Sequence, residues 1–182
     1  MNPFDFFSPD AKKAIQIANR EARGYGQDAI GTEHLLLGLA SLSEGNMAEA
    51  ARRLGLSAES VRFAIEKYAS AAGPDTAEIG MLPYTPRTKK VFQIAVAEAR
   101  NANSRTVRAE HLLLALLREG EGTAAKVLAD LGIDYDKGLE AVRATLNGDP
   151  LPGEDDDEDD DDLPPPGGGS GPDADAYASD GG

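Results

Sequence analysis

Apolar positions in "SPDAKKAIQIANREAR" fall at Ala11, Ala14, Ile15, Ala18 and Ala22. That i, i+3/i+4 stripe predicts a helix with one buried face. Ser8 is placed to cap it, and Pro9 sits at the first helical position, where its missing N–H costs nothing. "TPRTKKVFQIAVAEAR" repeats the pattern with Thr85 and Pro86. The short run "EHLLLGL" predicts a second helix capped by Thr32. "NMAEAARRL" predicts a third: Asn46 and Glu49 have capping-box spacing, and Gly55 is a left-handed C-terminal stop. A fourth runs from about Ser57 to Ala71. No stretch alternates apolar and polar residues long enough to predict a strand.

The same order of elements occurs twice. His111 follows His34 by 77 residues, and that offset holds without a gap. It pairs Pro9 with Pro86, Lys12-Lys13 with Lys89-Lys90, and Gln16-Ile17-Ala18 with Gln93-Ile94-Ala95. It also pairs Glu21-Ala22-Arg23 with Glu98-Ala99-Arg100, Glu44-Gly45 with Glu121-Gly122, and Leu54-Gly55 with Leu131-Gly132. On the order of twenty of some sixty positions are identical, a firm internal repeat. The expected fold class is all-α: two pseudo-symmetric four-helix repeats, about eight helices, forming one domain over residues 1–147. Repeat one is 8–72, a connector is 73–84, and repeat two is 85–147.

Charge divides the chain differently. The net charge is −14, but thirteen of the 32 acidic residues and none of the 18 basic ones lie at or beyond Gly148. Residues 1–147 therefore carry nineteen acids against eighteen bases and are nearly neutral. "GDPLPGEDDDEDDDD" and the Pro/Gly-rich end cannot repay the entropy of ordering, so 148–182 is expected to be a disordered acidic tail. No basic cluster invites nucleic acid. No apolar run reaches the roughly 20 residues of a membrane span, and "MNPFDFF" lacks the features of a secretory signal. The expectation is a cytoplasmic protein with no membrane or nucleic-acid partner. Cysteine is absent, which excludes disulfides and thiolate metal sites.

"TEHLLLGL" from Thr32 and "AEHLLLAL" from Ala109 carry the candidate chemistry. The leucines read as core. His34 and His111, the only histidines, read as packed helix-start residues, with no third ligand spaced to hold a metal beside either. Glu33 and Glu110 have two readings. A carboxylate in a first turn is favoured by the helix dipole. A helix N-terminus also binds anions, and a carboxylate beside an anion site suits a ligand pairing a cation with an anion. A phosphorylated guanidinium is such a ligand.

The doubled pieces "SPDAKKAIQIANREAR", "IGTEHLLLGL", "EGNMAEAARRLG", "YTPRTKKVFQIAVAEAR" and "AEHLLLALLREGEGTAAKVLADLGI" resemble the N-terminal domain of the Clp unfoldases, ClpC type, continuously over residues 4–147. The resemblance implies an eight-helix module that docks substrates and adaptors, and in the ClpC branch receives phosphoarginine-marked proteins and cyclic-peptide antibiotics. It carries the phosphoarginine-binding role to Glu33, with Gly31 and Thr32 on the phosphate side, and to Glu110 in repeat two. The second site departs from the family's Gly-Thr: Arg108-Ala109 stand there. Ala109 removes a capping hydroxyl, and Arg108 either offers charge to a phosphate or pairs with Glu110 and blocks it. The implied antibiotic groove falls on Phe4 and Tyr84, with Lys90 nearby. The same aromatics have an alternative role, closing the core where the repeats meet.

There is no G-x-x-x-x-G-K-[ST] and no nucleophile beside an activating base, so no catalytic residue and no cofactor are expected. The first reading is a stand-alone, non-enzymatic module without ATPase modules. It would bind phosphoarginine-containing proteins or cyclic peptides as a decoy or modulator of the Clp protease system. The second is an adaptor-like regulator bridging cargo or adaptors to the Clp unfoldase, using the tail as a docking or degradation-initiating segment. A purely solubilising tail is the alternative. An enzyme of unknown chemistry is the third.

Overall fold

The computed structural model describes residues 3–68 and 80–151. The expected disordered tail, but for its first four residues, and residues 73–79 of the expected connector lie outside the described residues. After a 3₁₀ turn at Pro3–Phe6 come α1 (Pro9–Gly24), α2 (Thr32–Ala40), α3 (Gly45–Leu54) and α4 (Ala58–Ile65). Repeat two supplies α5 (Pro86–Asn101), α6 (Ala109–Glu119), α7 (Thr123–Asp130) and α8 (Tyr135–Asn147). Eight α-helices and no extended strand among the described residues make the fold all-α.

Several helix boundaries follow from the residues that predicted them. Ser8 Oγ accepts from the Ala11 N–H and Thr85 Oγ1 from the Thr88 N–H, each ahead of a proline. Gly55 ends α3 at φ 69°, ψ 26°, a left-handed conformation that glycine adopts without strain. Two caps differ from expectation. The N-cap of α3 is Glu44, with no side-chain cap bond, so Asn46 and Glu49 form no capping box. Thr32 is already inside α2, whose N-cap is Gly31.

The core is aliphatic. Leu35, Leu36, Leu37 and Leu39 of α2, and Leu112, Leu113 and Leu116 of α6, are fully buried. These central helices lie against α1 and α5 respectively. The α1–α2 approach is close: a Cβ at Gly38 would run into the Ala14 carbonyl oxygen, whereas the matching residue in α6 is Ala115. The repeats interlock reciprocally, α3 packing on α8 and α7 on α4.

Two isolated backbone bridges tie the starts of the repeats together. Phe7 pairs with Val107 and Ile30 with Tyr84. The Ser8 N–H donates to the Val107 carbonyl at 2.9 Å, and the Ile30 N–H to the Pro83 carbonyl at 2.8 Å. Each bridge joins the residues just ahead of α2 or α6 to those just ahead of the other repeat's first helix. Any cleft at the start of α2 or α6 is therefore built from both repeats.

Candidate functional site

The repeated histidine is a cap. The His34 Nδ1 accepts from the Gly31 N–H at 2.9 Å, and the His111 Nδ1 from the Arg108 N–H at 2.9 Å. Each satisfies the N–H of its own N-cap residue from the third helical position, as the acidic partner of a capping box does. Both rings are buried. Burial lowers the pKa of His34 against the opposing pull of Glu33 and Glu21. Burial likewise lowers that of His111, against Glu110. Neutral imidazole is the form that accepts at Nδ1.

Glu33 stands at the second position of α2, half-buried, in a first turn whose Thr32 and Glu33 N–H groups have no acceptor within the helix. Its carboxylate folds back over Gly31; a Cβ there would collide with Oε1. The result is an open cleft of ≈ 490 Å³ lined by Gln27, Asp28, Gly31–His34, Thr85–Arg87 and Thr123, among others. Arg87, at the start of α5, brings a guanidinium to the same cleft. It is held by the buried carboxylate of Glu119 and, at 3.4 Å, by Glu121.

Thr32 reaches across the repeats. Its Oγ1 accepts from the Ala124 N–H at 3.1 Å, so it caps α7 rather than its own helix. Glu119 Oε1 accepts from the N–H groups of Gly122 and Glu121 at 2.9 and 3.1 Å and completes the start of α7. Burial pushes the Glu119 carboxyl up, but the hydrogen bonds from Arg87, Gly122 and Glu121 outweigh it and hold the pKa below its ordinary value. Thr32 and Arg87 are thus both tied to the start of α7, Thr32 directly and Arg87 through Glu119.

The second start differs. Glu110 is 1% exposed, and its Oε2 accepts from Arg108 Nε at 3.1 Å. Its Oε1 has no hydrogen-bond partner among the described residues. Of the two roles open to Arg108, the structure places it in the pair with Glu110. Asp10 occupies the position that Arg87 takes in the first cleft, accepting from Ser8 Oγ and from the Ala11 N–H.

The aromatics form a second concavity. Phe4, Phe7, Tyr84, Phe92 and Val96 line an apolar groove of ≈ 320 Å³ with Lys89 and Gln93 at its edge. Ring centroids lie 4.9 Å apart for Tyr84–Phe92, 5.0 Å for Phe4–Phe7 and 5.7 Å for Phe4–Tyr84. Phe7 is buried in the core while Phe4, Tyr84 and Phe92 are partly buried against it. The aromatics therefore both close the core and wall a groove. The lysine at the groove is Lys89; Lys90, exposed one residue on, is not among its lining residues.

Gly31, Thr32 and Glu33 all line the first cleft, where the Thr32 hydroxyl is engaged by the Ala124 N–H, and Arg108 meets Glu110. Arg87, Glu119 and Phe92 also belong to these surfaces and are not among the residues expected from the sequence. The signal for Arg87 was present in the repeat offset, which pairs it with Asp10 and makes a charge reversal at one of two equivalent positions. No group of three or more His, Asp or Glu side chains placed to hold a metal occurs among the described residues. No helix among them is long and apolar enough to cross a membrane.

The model of the Clp repeat (R) N-terminal domain family matches residues 6–131 and 84–163. The negative regulator of genetic competence ClpC/MecB of Bacillus subtilis is 41% identical over 139 residues, 76% of this chain and 17% of that protein. The N-terminal domain of the chaperone ClpD from Arabidopsis thaliana superposes with a TM-score of 0.62 at 27% identity, covering 80% of this chain and 97% of that one. A ClpV N-domain in complex with a VipB peptide shares the fold with a TM-score of 0.60 at 16% identity, over 82% of this chain and 92% of that one. The chain spans about a sixth of the length of the curated relatives it matches. With its doubled helix start, interlocked repeats and eight-helix fold, the chain belongs to the Clp repeat N-terminal domain family.

Proposed function

We propose that this chain is a non-enzymatic binding module that receives phosphoarginine-marked proteins in the cleft at the start of α2 and modulates the Clp protease system as a decoy. The observation that carries this reading is the composition of that cleft: a half-buried carboxylate, Glu33, beside a helix N-terminus and the guanidinium of Arg87. Glu33 would take the ligand guanidinium. The first-turn N–H groups of α2 and Arg87 would take the phosphate. Both ion pairs of Arg87 use Nη1, and Nη2 would be the group offered to the phosphate.

The apolar groove supports a second ligand class. A concavity walled by four aromatic rings, with Lys89 at the rim, suits an apolar or cyclic peptide, and Phe4 and Tyr84 would be its contacts. Bridging of cargo or adaptors to a Clp unfoldase would use the same surfaces, with the acidic tail as a further docking segment.

Calorimetric titration of the full chain with phosphoarginine tests the main reading. Saturable binding that weakens by on the order of a hundredfold in Glu33→Ala is expected. No heat at millimolar ligand would overturn it and leave the aromatic groove as the place to search.

A further inference from the structure

The starts of α2 and α6 have nearly the same backbone. Gly31 sits at φ −92°, ψ 175° and Arg108 at φ −97°, ψ 167°, both extended. Both are followed by a glutamate and by a histidine that returns to the N-cap N–H at 2.9 Å. No backbone feature demands glycine at either position, because this region is open to every residue. What differs is side-chain space. With glycine, the Glu33 carboxylate lies over residue 31 and faces the cleft. With arginine, the carboxylate of Glu110 is fully covered and carries a guanidinium at 3.1 Å.

We infer that Arg108 is a tethered imitation of the ligand, occupying the second carboxylate with its own guanidinium so that the chain presents one open receptor site instead of two. This rests on the reading that Glu33 receives a ligand guanidinium. The fit is incomplete in an informative way. A free guanidinium can bind a carboxylate through two parallel hydrogen bonds. Arg108 reaches Glu110 through Nε alone, and the orphaned Oε1 is the acceptor for a second N–H that the tethered guanidinium does not supply. The tether nonetheless holds its guanidinium at a high effective concentration, which a free ligand must exceed. The anion half of the site has changed in the same direction. Asp10 replaces the cation that Arg87 supplies in site one, and it lies close enough to contribute to the field at His111. A phosphate entering site two would meet a carboxylate where site one offers a guanidinium.

The inference is reciprocal. Moving the arginine to position 31 should close site one, and removing it from 108 while placing a cation at 10 should open site two. Calorimetry with phosphoarginine on the full chain reads both. Wild type should bind with a stoichiometry of about one, and Gly31→Arg should bind at least about tenfold more weakly. Glu33→Gln silences site one; adding Arg108→Gly and Asp10→Arg to it should restore a binding isotherm. Retained affinity in Gly31→Arg, or no recovery in a folded triple variant, overturns the inference. If wild type itself shows no binding, the phosphoarginine reading has failed. The self-pairing is then judged separately, by the Arg108 Nε–H resonance in nitrogen-15 NMR. A slowly exchanging signal that is lost in Glu110→Gln supports it, and a solvent-averaged signal unaffected by that substitution overturns it.

Discussion

The starts of α2 and α6 share what folds the chain and differ in what would recognise a ligand. Common to both are a capping histidine, a second-position glutamate and a buried leucine run. Different are Gly31 against Arg108, Thr32 against Ala109, and Arg87 against Asp10. The first set answers requirements that any helix start buried in this fold must meet. The second set lies around one carboxylate in each repeat, and each change in repeat two removes space, a hydroxyl or a cation. A duplicated fold can therefore keep its architecture in both copies while its second-position carboxylate faces a cleft in one and is covered in the other.

The largest effect expected from that contrast is on binding. Glu33→Ala should weaken phosphoarginine by on the order of a hundredfold, since a charge-assisted hydrogen bond in a partly desolvated cleft is worth about 1.5–3 kcal/mol. Glu110→Ala should leave the affinity within about twofold, because its carboxylate is already engaged by Arg108. Equal losses in the two variants, read by calorimetry, would show that the sites are equivalent and erase the contrast.

The contrast extends into the core. Gly38 lets α2 approach α1, and a methyl group there meets the Ala14 carbonyl. Gly38→Ala should cost about 1–3 kcal/mol from overpacking, against the helix propensity that normally favours alanine. Ala115→Gly, the reverse change in α6, should cost about 1 kcal/mol. Urea unfolding of the two variants compares them directly. A stabilised Gly38→Ala would mean that α1 and α2 can move apart without loss.

The histidines test what the repeats share. Both have a folded-state pKa below the ordinary 6.5, chiefly through burial. A group of this kind contributes stability that is fully present above its unfolded pKa and is lost as pH falls toward and through the folded value. Protonation also ends acceptance at Nδ1 from Gly31 and Arg108. Stability should therefore decline below about pH 6.5, with a slope approaching about 1.4 kcal/mol per pH unit for each histidine between its two pKa values. Urea midpoints from pH 7.5 to 5.0 should show this in wild type and a flatter profile in His34→Ala/His111→Ala. An unchanged slope in the double variant would place the acid sensitivity elsewhere.

The fold was legible because it is written twice. The stripe from Ala11 to Ala22 and the Ser-Pro and Thr-Pro starts are local signals that correspond to α1 and α5, and the 77-residue offset corresponds to the matching order of α1–α4 and α5–α8. The misplaced cap at α2 has a long-range cause. Thr32 looks like the cap of the helix it precedes because hydroxyl residues usually are, but its acceptor role is set by α7, 92 residues away. Arg87 was unremarkable in "TPRTKK" for the same reason: its significance comes from the backbone bridge between Ile30 and Tyr84, which brings α5 beside α2. The carboxylates at 33 and 110 were legible as chemistry. Their unequal burial was not, because it depends on how one side chain two positions earlier fills space.

Thr32 yields the smallest expected effect and the sharpest distinction between repeats. Its hydroxyl serves the N–H of Ala124, the second residue of α7, where the N-cap Gly122 has no side chain to offer. Thr32→Ala should destabilise the chain by about 1 kcal/mol, as loss of an N-cap acceptor does elsewhere. Thr32→Ser should recover most of the loss, and Thr32→Val, of nearly the same shape, should not. The matching helix of repeat one, α3, has Glu44 as its N-cap with no side-chain cap bond, and Ala109 has no hydroxyl to supply one. The loss should therefore appear locally: the Ala124 amide should exchange faster with solvent in Thr32→Ala and Thr32→Val, while α3 amides keep their protection. Uniform acceleration across both helices would instead mean that Thr32 acts by filling the cleft floor, and that the cross-repeat hydrogen bond carries little of the stability of α7.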